Sequence, residues 1–373
     1  MKKYICLTLA FLLLMGLVGC GAPAQETPTT VPVETTEAVE EVDYSPYMCP
    51  WTAEDLAAAR SDGKIHYFFM AAEGLHISRN QQNVDKWGDS TLIVLPDGKL
   101  LLVDTGPSAY GPVLLRNLQQ MGVERLDYIL ISHPHSDHQN GAFDESNRDG
   151  GILDLIGVDQ VYWRGAGVGS SDKDMMVAKV CFEKGIPNDI IEAGTVLQFG
   201  EVTLTGLWPA AGTSKTFVPK ADINDKSMVF RLDFQEHSAL FTADLYFAGE
   251  EQLLKATDPA LLDTDFMKVP HHGHATSSSD ALLAAVTPEL SIAMARVPIT
   301  LKTRTRYEII GSTLLYDLIH GYIHVTADAD GNMEYTTTRN HDPKKQDELN
   351  IPSDSLPPET AVSPTTAVDG EES

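Results

Sequence analysis

A mixed α/β domain is the fold class that this sequence predicts, and three observations predict it. Strand-like apolar runs alternate with helical spacing, in the order strand, strand, helix, strand over residues 91–131. Three later apolar runs each end on potential metal ligands. Leu126 to Ile131 leads into His133-Pro-His135-Ser-Asp137-His138, Ala239 to Ala243 into Asp244, and Phe266 to Val269 into Pro270-His271-His272-Gly-His274. Finally, 373 residues with 43% hydrophobic content can bury a full core, and the compositionally distinct ends leave one domain of ordinary size between them.

At the N-terminus, Lys2 and Lys3 precede the apolar run Ile5 to Val18, which is short for a bilayer span but suits a signal-peptide core. The run ends in Leu17-Val18-Gly19-Cys20, which resembles the lipobox of bacterial lipoproteins. That resemblance implies export and a lipid anchor on Cys20, with the protein facing outside the cell membrane. The expected organisation is a signal peptide at 1–20, a flexible Thr/Pro/Glu-rich linker at 21–50, a catalytic domain at 51–340 and a disordered acidic tail at 341–373. Cys6 leaves with the signal, so Cys49 and Cys181 remain, and a disulfide or two free thiols fit them equally.

The net charge is −26, and residues 51–340 hold 23 basic and 39 acidic side chains, or −16. Such a domain lacks the general cationic footprint on which duplex nucleic-acid binding rests. A phosphate would have to be held locally, and Arg296, Lys302, Arg304 and Arg306 are the candidate substrate-binding group. The alternation of Lys302, Arg304 and Arg306 predicts three cations on one face of a strand; a solvated edge strand accounts for the same face.

The elements follow in order. Lys64 to Met70 reads as a strand, and Thr91 to Leu95 turns through Pro96-Asp97-Gly98 into Lys99 to Val103 as a hairpin. Asp104 comes next, either a turn residue or a carboxylate that orients metal-binding histidines. Pro112 to Met121 has helical spacing with Gly122 as its stop. Ile152 to Ile156 is too short to assign, while Asp172 to Lys184 reads as a helix ended by Gly185. Strands then cover Val196 to Phe199, Val202 to Leu207, Ser227 to Phe234 and Ala239 to Ala243, and Ser277 to Ser279 can cap a helix that runs through Val286.

Four potential ligands in six residues at 133–138 are hard to explain as packing. His133 and His135 share a side by the period of two, and Asp137 and His138 can serve a second position nearby. Imidazole and carboxylate suit zinc, manganese or iron, and two such ions about 3.5–4 Å apart can hold a hydroxide for attack on phosphorus or carbonyl carbon. Asp244 at a strand end would be costly unless paired or metal-bound, so it reads as a bridging ligand. His271 is the choice for the second site, and His272 for a proton donor or substrate contact.

This pattern resembles the HxHxDH signature of the metallo-β-lactamase superfamily. The ordered set Trp87-Gly-Asp-Ser, Leu-Val-Asp104-Thr-Gly, residues 133–138, Asn224-Asp-Lys-Ser227, Phe-Thr-Ala-Asp244, Val-Pro-His271-His-Gly and Thr326-Ala-Asp-Ala-Asp330-Gly331 resembles the ComEC-type domain more closely, over Lys64 to Thr337. The resemblance implies a four-layer αβ/βα sandwich with metals at one edge, and phosphodiester hydrolysis. It also implies His133 and His135 for one metal, Asp137, His138 and His271 for the other, and Asp244 between them, and it favours Asp104 behind the ligands; Asp137 and His272 are the candidate catalytic residues.

Two departures stand against the family pattern. The superfamily usually supplies another histidine to the first site from the segment before the bridging aspartate, where this chain has only His237. His237 lies seven residues, roughly 23 Å of strand, before Asp244, so water, Asp225 or another oxygen is left to complete that site. His274 stands where the ComEC-like pattern has serine.

The sequence therefore predicts an exported, membrane-tethered hydrolase with two divalent metals, zinc first and manganese second. A phosphodiester is the expected substrate, extracellular nucleic acid among the options, and no obligate protein partner is inferred. The alternatives are a phosphorylcholine-esterase-like enzyme on cell-wall polymer and a non-catalytic surface lipoprotein with a decayed metal site. β-Lactamase activity is disfavoured, because the resemblance fixes metal chemistry and not substrate.

Overall fold

Strands buried on both faces, such as Thr91–Val94 (β2) and Leu100–Val103 (β3), read in sequence as short unbroken apolar runs because neither face meets water. The computed structural model describes residues 45–70, 88–107, 111–143, 151–166, 174–219, 223–295 and 298–348. The chain divides into Met1–Asp43 and Tyr44–Ser373, and every described residue lies in the second unit. The signal sequence, Cys20, Trp87, Arg296 and the tail beyond 348 are outside the described residues. Among those residues no helix is long and apolar enough to cross a membrane.

The first sheet sets Ile65–Phe69 (β1) beside β2, β3, Arg125–Ile131 (β4), Gly157–Trp163 (β5) and Asn188–Ile190 (β6), with Ile323–Ala327 (β14) and Met333–Thr337 (β15) on the other flank. The second runs Thr313–Tyr316 (β13), Leu290–Ala293 (β12), Phe266–Lys268 (β11), His237–Phe241 (β10), Val229–Phe234 (β9), Val202–Trp208 (β8) and Val196–Phe199 (β7). Alternation within the strands builds three apolar layers. Leu101, Val103, Phe230 and Phe241 fill the space between the sheets. Leu102 and Ile129 face out to Leu118 of Gly111–Gln120 (α2) and Cys181 of Met176–Lys184 (α5), while Leu240 and Met267 face out to Leu253 of Phe247–Ala256 (α6) and Leu283 of Asp280–Val286 (α8). The result is the αβ/βα sandwich that the sequence predicts.

Several boundaries differ from the sequence reading. β5 and α6 carried no assignment, and Ile152–Leu155 is a short helix. Lys302, Arg304 and Arg306 lie on a helix, Leu301–Ile309, and not on a strand. Thr300 caps it by accepting from Thr303 N at 3.2 Å, and its buried positions, Thr303 and Tyr307, recur at four residues. Helical geometry therefore puts Lys302 and Arg306 on one side and Arg304 on the other. The domain also extends past both predicted limits. Cys49 is in the core with a free thiol, as is Cys181, and burial pushes both thiols up to about 11. Gln346 is buried, donating to Ile299 O at 2.8 Å and accepting from Tyr316 Oη at 2.7 Å, so residues up to 348 dock where a disordered tail was expected.

Candidate metal centre

Parallel strands end together, so the residues that follow them meet at one edge. β4 pairs in parallel with β3, β10 with β11, and each pair delivers its next residues to the same rim. Loops are knitted there by backbone bonds: Asp89 N to Asp137 O at 3.1 Å, Thr105 N to His138 O at 2.7 Å and Gly106 N to Asp89 O at 2.9 Å. Gly88 is needed for this closeness, since a Cβ on it would overlap the Asp137 carbonyl. Asp104, Ala243, His271 and His272 all adopt left-handed φ between 44° and 56°, a conformation that costs non-glycine residues energy and marks functional sites.

Among the described residues three groups of potential ligand atoms form, each within 4.8 Å: Asp89, Asp104 and His138 make one, and the other two are His133, His135 and Asp244, and Asp137, His138, Asp244 and His272. Asp244 is common to the last two. Its Oδ2 lies 3.2 Å from His138 Nε2, 3.5 Å from His272 Nε2 and 3.7 Å from His133 Nε2. His138 Nε2 and Asp244 Oδ1 are buried with no hydrogen-bond partner, an arrangement that a cation between them would satisfy. The donor set is one that divalent transition metals take, so the residues fit the expected metal.

The second ligand shell explains which ring nitrogens face inward. Asp104 Oδ2 accepts from His138 Nδ1 at 2.8 Å while taking the Ser132 hydroxyl at 2.7 Å, and its Oδ1 takes the Ser132 amide at 2.7 Å. With Nδ1 carrying the proton, His138 Nε2 is left as the donor atom toward Asp244. Asp104 thus has the orienting role rather than that of a turn residue. His272 repeats this pattern: its Nδ1 lies 3.1 Å from both the Met294 carbonyl and Asp89 Oδ1, and its Nε2 faces Asp137 at 3.3 Å. Asp89 is itself ion-paired with the buried Lys268 amine, which also donates to Val269 O at 3.1 Å.

These contacts exchange the expected roles of two neighbours. His272, not His271, stands in the four-residue group, and it cannot also serve as a free proton donor. His271 Nε2 is 4.0 Å from Asp244, its Nδ1 is 2.6 Å from Thr276 Oγ1, and its ring packs on Tyr246 and His274 at 4.7 Å each. The reason is backbone geometry: the left-handed turn at 271–272 swings the second histidine under the strand ends. Asp225 is spent elsewhere, its Oδ1 accepting from Gly249 N at 2.8 Å. His237 is excluded as expected, with Nε2 on Tyr67 Oη at 3.0 Å at the far end of β10.

Electrostatics separates the rings. Burial pushes His133 well below the ordinary imidazole range and His271 down to about 4, so both are neutral at neutral pH. Burial also opposes charge on His138, but Asp244, Asp137 and Asp104 outweigh it and hold the ring's pKa well above the ordinary value. His272 is raised likewise by Asp244 and Asp89. Asp244, despite its burial, is held well below the carboxylate range by His138 and His272.

Of the cations predicted for substrate, the three described ones do not gather here. Arg304 donates to Ile299 O at 3.2 Å and Pro343 O at 3.0 Å. Arg306 donates to Ser278 O at 3.0 Å and pairs with Asp280 at 3.1 Å, and Lys302 is exposed. Sequence reasoning missed Asp89 and Lys268, although each left a signal. Asp89 sits in the quoted Gly-Asp-Ser run, and Lys268 is a charge inside an apolar strand.

A family model described as Metallo-beta-lactamase superfamily matches residues 88–295. The chain is 24% identical over 222 residues to ComE operon protein 3 of Bacillus subtilis (strain 168), covering 55% of this chain and 26% of that protein. To competence protein ComA of Neisseria gonorrhoeae it is 29% identical over 223 residues, covering 58% and 27%. The chain thus spans about a quarter of the length of these relatives. Among solved structures it is similar to the metallo-beta-lactamase fold protein YhfI from Bacillus subtilis, with 13% identity, a TM-score of 0.43, and coverage of 73% of this chain and 99% of that one.

Proposed function

Because the chain belongs to the metallo-beta-lactamase superfamily of hydrolases, we propose that it is a metal-dependent phosphodiesterase, exported and held on the outside of the cell membrane through a lipid on Cys20. One observation carries the hydrolytic part: Asp244 is shared by two His/Asp groups, and His138 Nε2 and Asp244 Oδ1 are buried there with no hydrogen-bond partner. Divalent metals, zinc by preference, would supply Lewis acidity toward a phosphoryl oxygen and acidify water at neutral pH. The chain's own residues do the remainder. Asp104 and Ser132 fix His138, Asp89 and Lys268 fix His272, and neutral His271 stands at the half-buried approach, able to accept a proton or hydrogen bond.

Phosphodiester chemistry is supported by the resemblance to the ComEC-type domain. The acidic surface, −16 over residues 51–340, bears on the polymer: it disfavours long polyanions and leaves small or zwitterionic phosphodiesters little affected. That charge favours a second reading, a phosphorylcholine-type esterase acting on cell-wall polymer. A substrate panel on the zinc-loaded protein decides between them. Bis(4-nitrophenyl) phosphate should turn over about 100-fold faster than a phosphomonoester or a lactam, and 4-nitrophenyl phosphorylcholine and single-stranded DNA then rank the two readings. Faster hydrolysis of the lactam would end the phosphodiesterase proposal.

The anchor is tested separately. Cys20→Ser should move the protein from the membrane to the soluble fraction or leave its signal uncleaved. Unchanged fractionation and lipid labelling would remove Cys20 from the proposal.

A further inference from the structure

Arg164 is the first residue past β5, whose Trp163 pairs with Ile131 of β4. The register therefore sets Arg164 level with Ser132, one residue before His133, on a strand about 4.8 Å away. Its charge is near enough to oppose protonation of both His133 and His135. The side chain is 2% exposed, and its Nε is buried with no hydrogen-bond partner. A buried guanidinium whose Nε lacks a partner is costly, and the charge of Asp174 offsets part of that cost. Burial lowers its pKa to about 10, so the group stays cationic at neutral pH. Among the described residues the other cation near the metal groups, Lys268, is committed to Asp89 and Val269 O.

We propose that Arg164 is the phosphate-recognising cation of this site, its planar fork taking the non-bridging oxygens of a phosphodiester held beside the His133–His135 group. This rests on the phosphodiesterase reading and names the residue that would give it selectivity for phosphorus esters. A guanidinium matches two phosphate oxygens at once, which an ammonium cannot do. The sequence placed this duty on Arg296, which lies outside the described residues, and on Lys302, Arg304 and Arg306, of which the two arginines bond backbone carbonyls instead.

The test uses the metal-loaded protein and inorganic phosphate as probe. Phosphate affinity is measured by calorimetry, KM and kcat on bis(4-nitrophenyl) phosphate by absorbance, and zinc content alongside. R164M should weaken phosphate binding by about 10- to 100-fold and raise KM, with zinc content unchanged. R164K should recover part of the loss, because it restores charge without the fork. Equal phosphate affinity in wild type and R164M, or no phosphate binding by wild type, would overturn the assignment; should R164M not fold, unchanged affinity in R164K would do so. Calorimetry needs no turnover. A wild type that binds phosphate through Arg164 yet hydrolyses no phosphodiester would therefore sink the proposed reaction and leave Arg164 as an anion site.

Discussion

Asp244→Asn is expected to abolish hydrolysis and to strip most of the metal from the protein in the same step. The carboxylate belongs to both ligand groups, so one neutralised side chain weakens two sites at once. It also removes the charge that raises His138 and His272, whose rings must shed protons to bind metal. A loss of about 10³-fold or more in kcat/KM is the scale for removing such a group. The fold should survive, because Asp244 follows β10 and bonds no strand backbone. Elemental analysis and a melting curve of the variant check the claim. Full zinc content with wild-type turnover would show that Asp244 does not hold the metal.

Lys268→Met should be the most destabilising single change away from the ligands. Lys268 and Asp89 are 2% and 4% exposed, and removing the amine leaves a buried carboxylate with, among the described residues, only His272 beside it. Breaking one partner of such a pair costs about 3–5 kcal/mol, whereas removing both is nearly neutral. Lys268→Met with Asp89→Asn should therefore recover most of the loss in urea unfolding of the metal-free protein. The pH dependence follows from Asp89. Burial would raise its pKa, but Lys268, His272 and His138 hold it below the ordinary range. A depressed folded-state pKa contributes stability that is present above the unfolded carboxylate value and lost as pH falls through the folded one. The double variant should thus show a flatter acid limb than wild type. A single variant as stable as wild type would mean that the ion pair is not held as the structure shows it.

Zinc content also bears on the first site, which has three candidate ligands among the described residues, His133, His135 and Asp244. Among the described residues no further histidine joins that group, since His237 is tied to Tyr67 and His271 to Thr276. Of Asp225, one of the oxygens that the sequence left open for that site, Oδ1 accepts from Gly249 N.

Most of the frame was legible because buried strands and capped helices write local patterns. Leu100–Val103 is unbroken apolar sequence, Gly122 and Gly185 end their helices with φ of 76° and 67°, and Ser279 caps α8. β5 was not legible, since Gly157-Val-Asp-Gln-Val-Tyr-Trp mixes polar and apolar residues near a sheet edge. The helix at 301–309 was misread because an alternation of cations is visible to the eye, whereas the burial of Thr303 and Tyr307 exists only once α8 and β13 are beside them.

By itself the sequence determined the ligand chemistry: residues 133–138, Asp244 and the paired histidines at 271–272 follow strand ends, and strand ends in parallel sheets converge. The layer order was implied by the family resemblance and not by strand alternation, since strands buried on both faces read as unbroken apolar runs. Only the tertiary structure decided which of two adjacent histidines joins the ligands, since a left-handed turn reverses the order that extended chain would give. Only it showed that Asp89 and Lys268 support His272 and that Arg164 lies level with Ser132. Those residues are far apart in the chain, and long-range register, which no local pattern encodes, is what brings them to one rim.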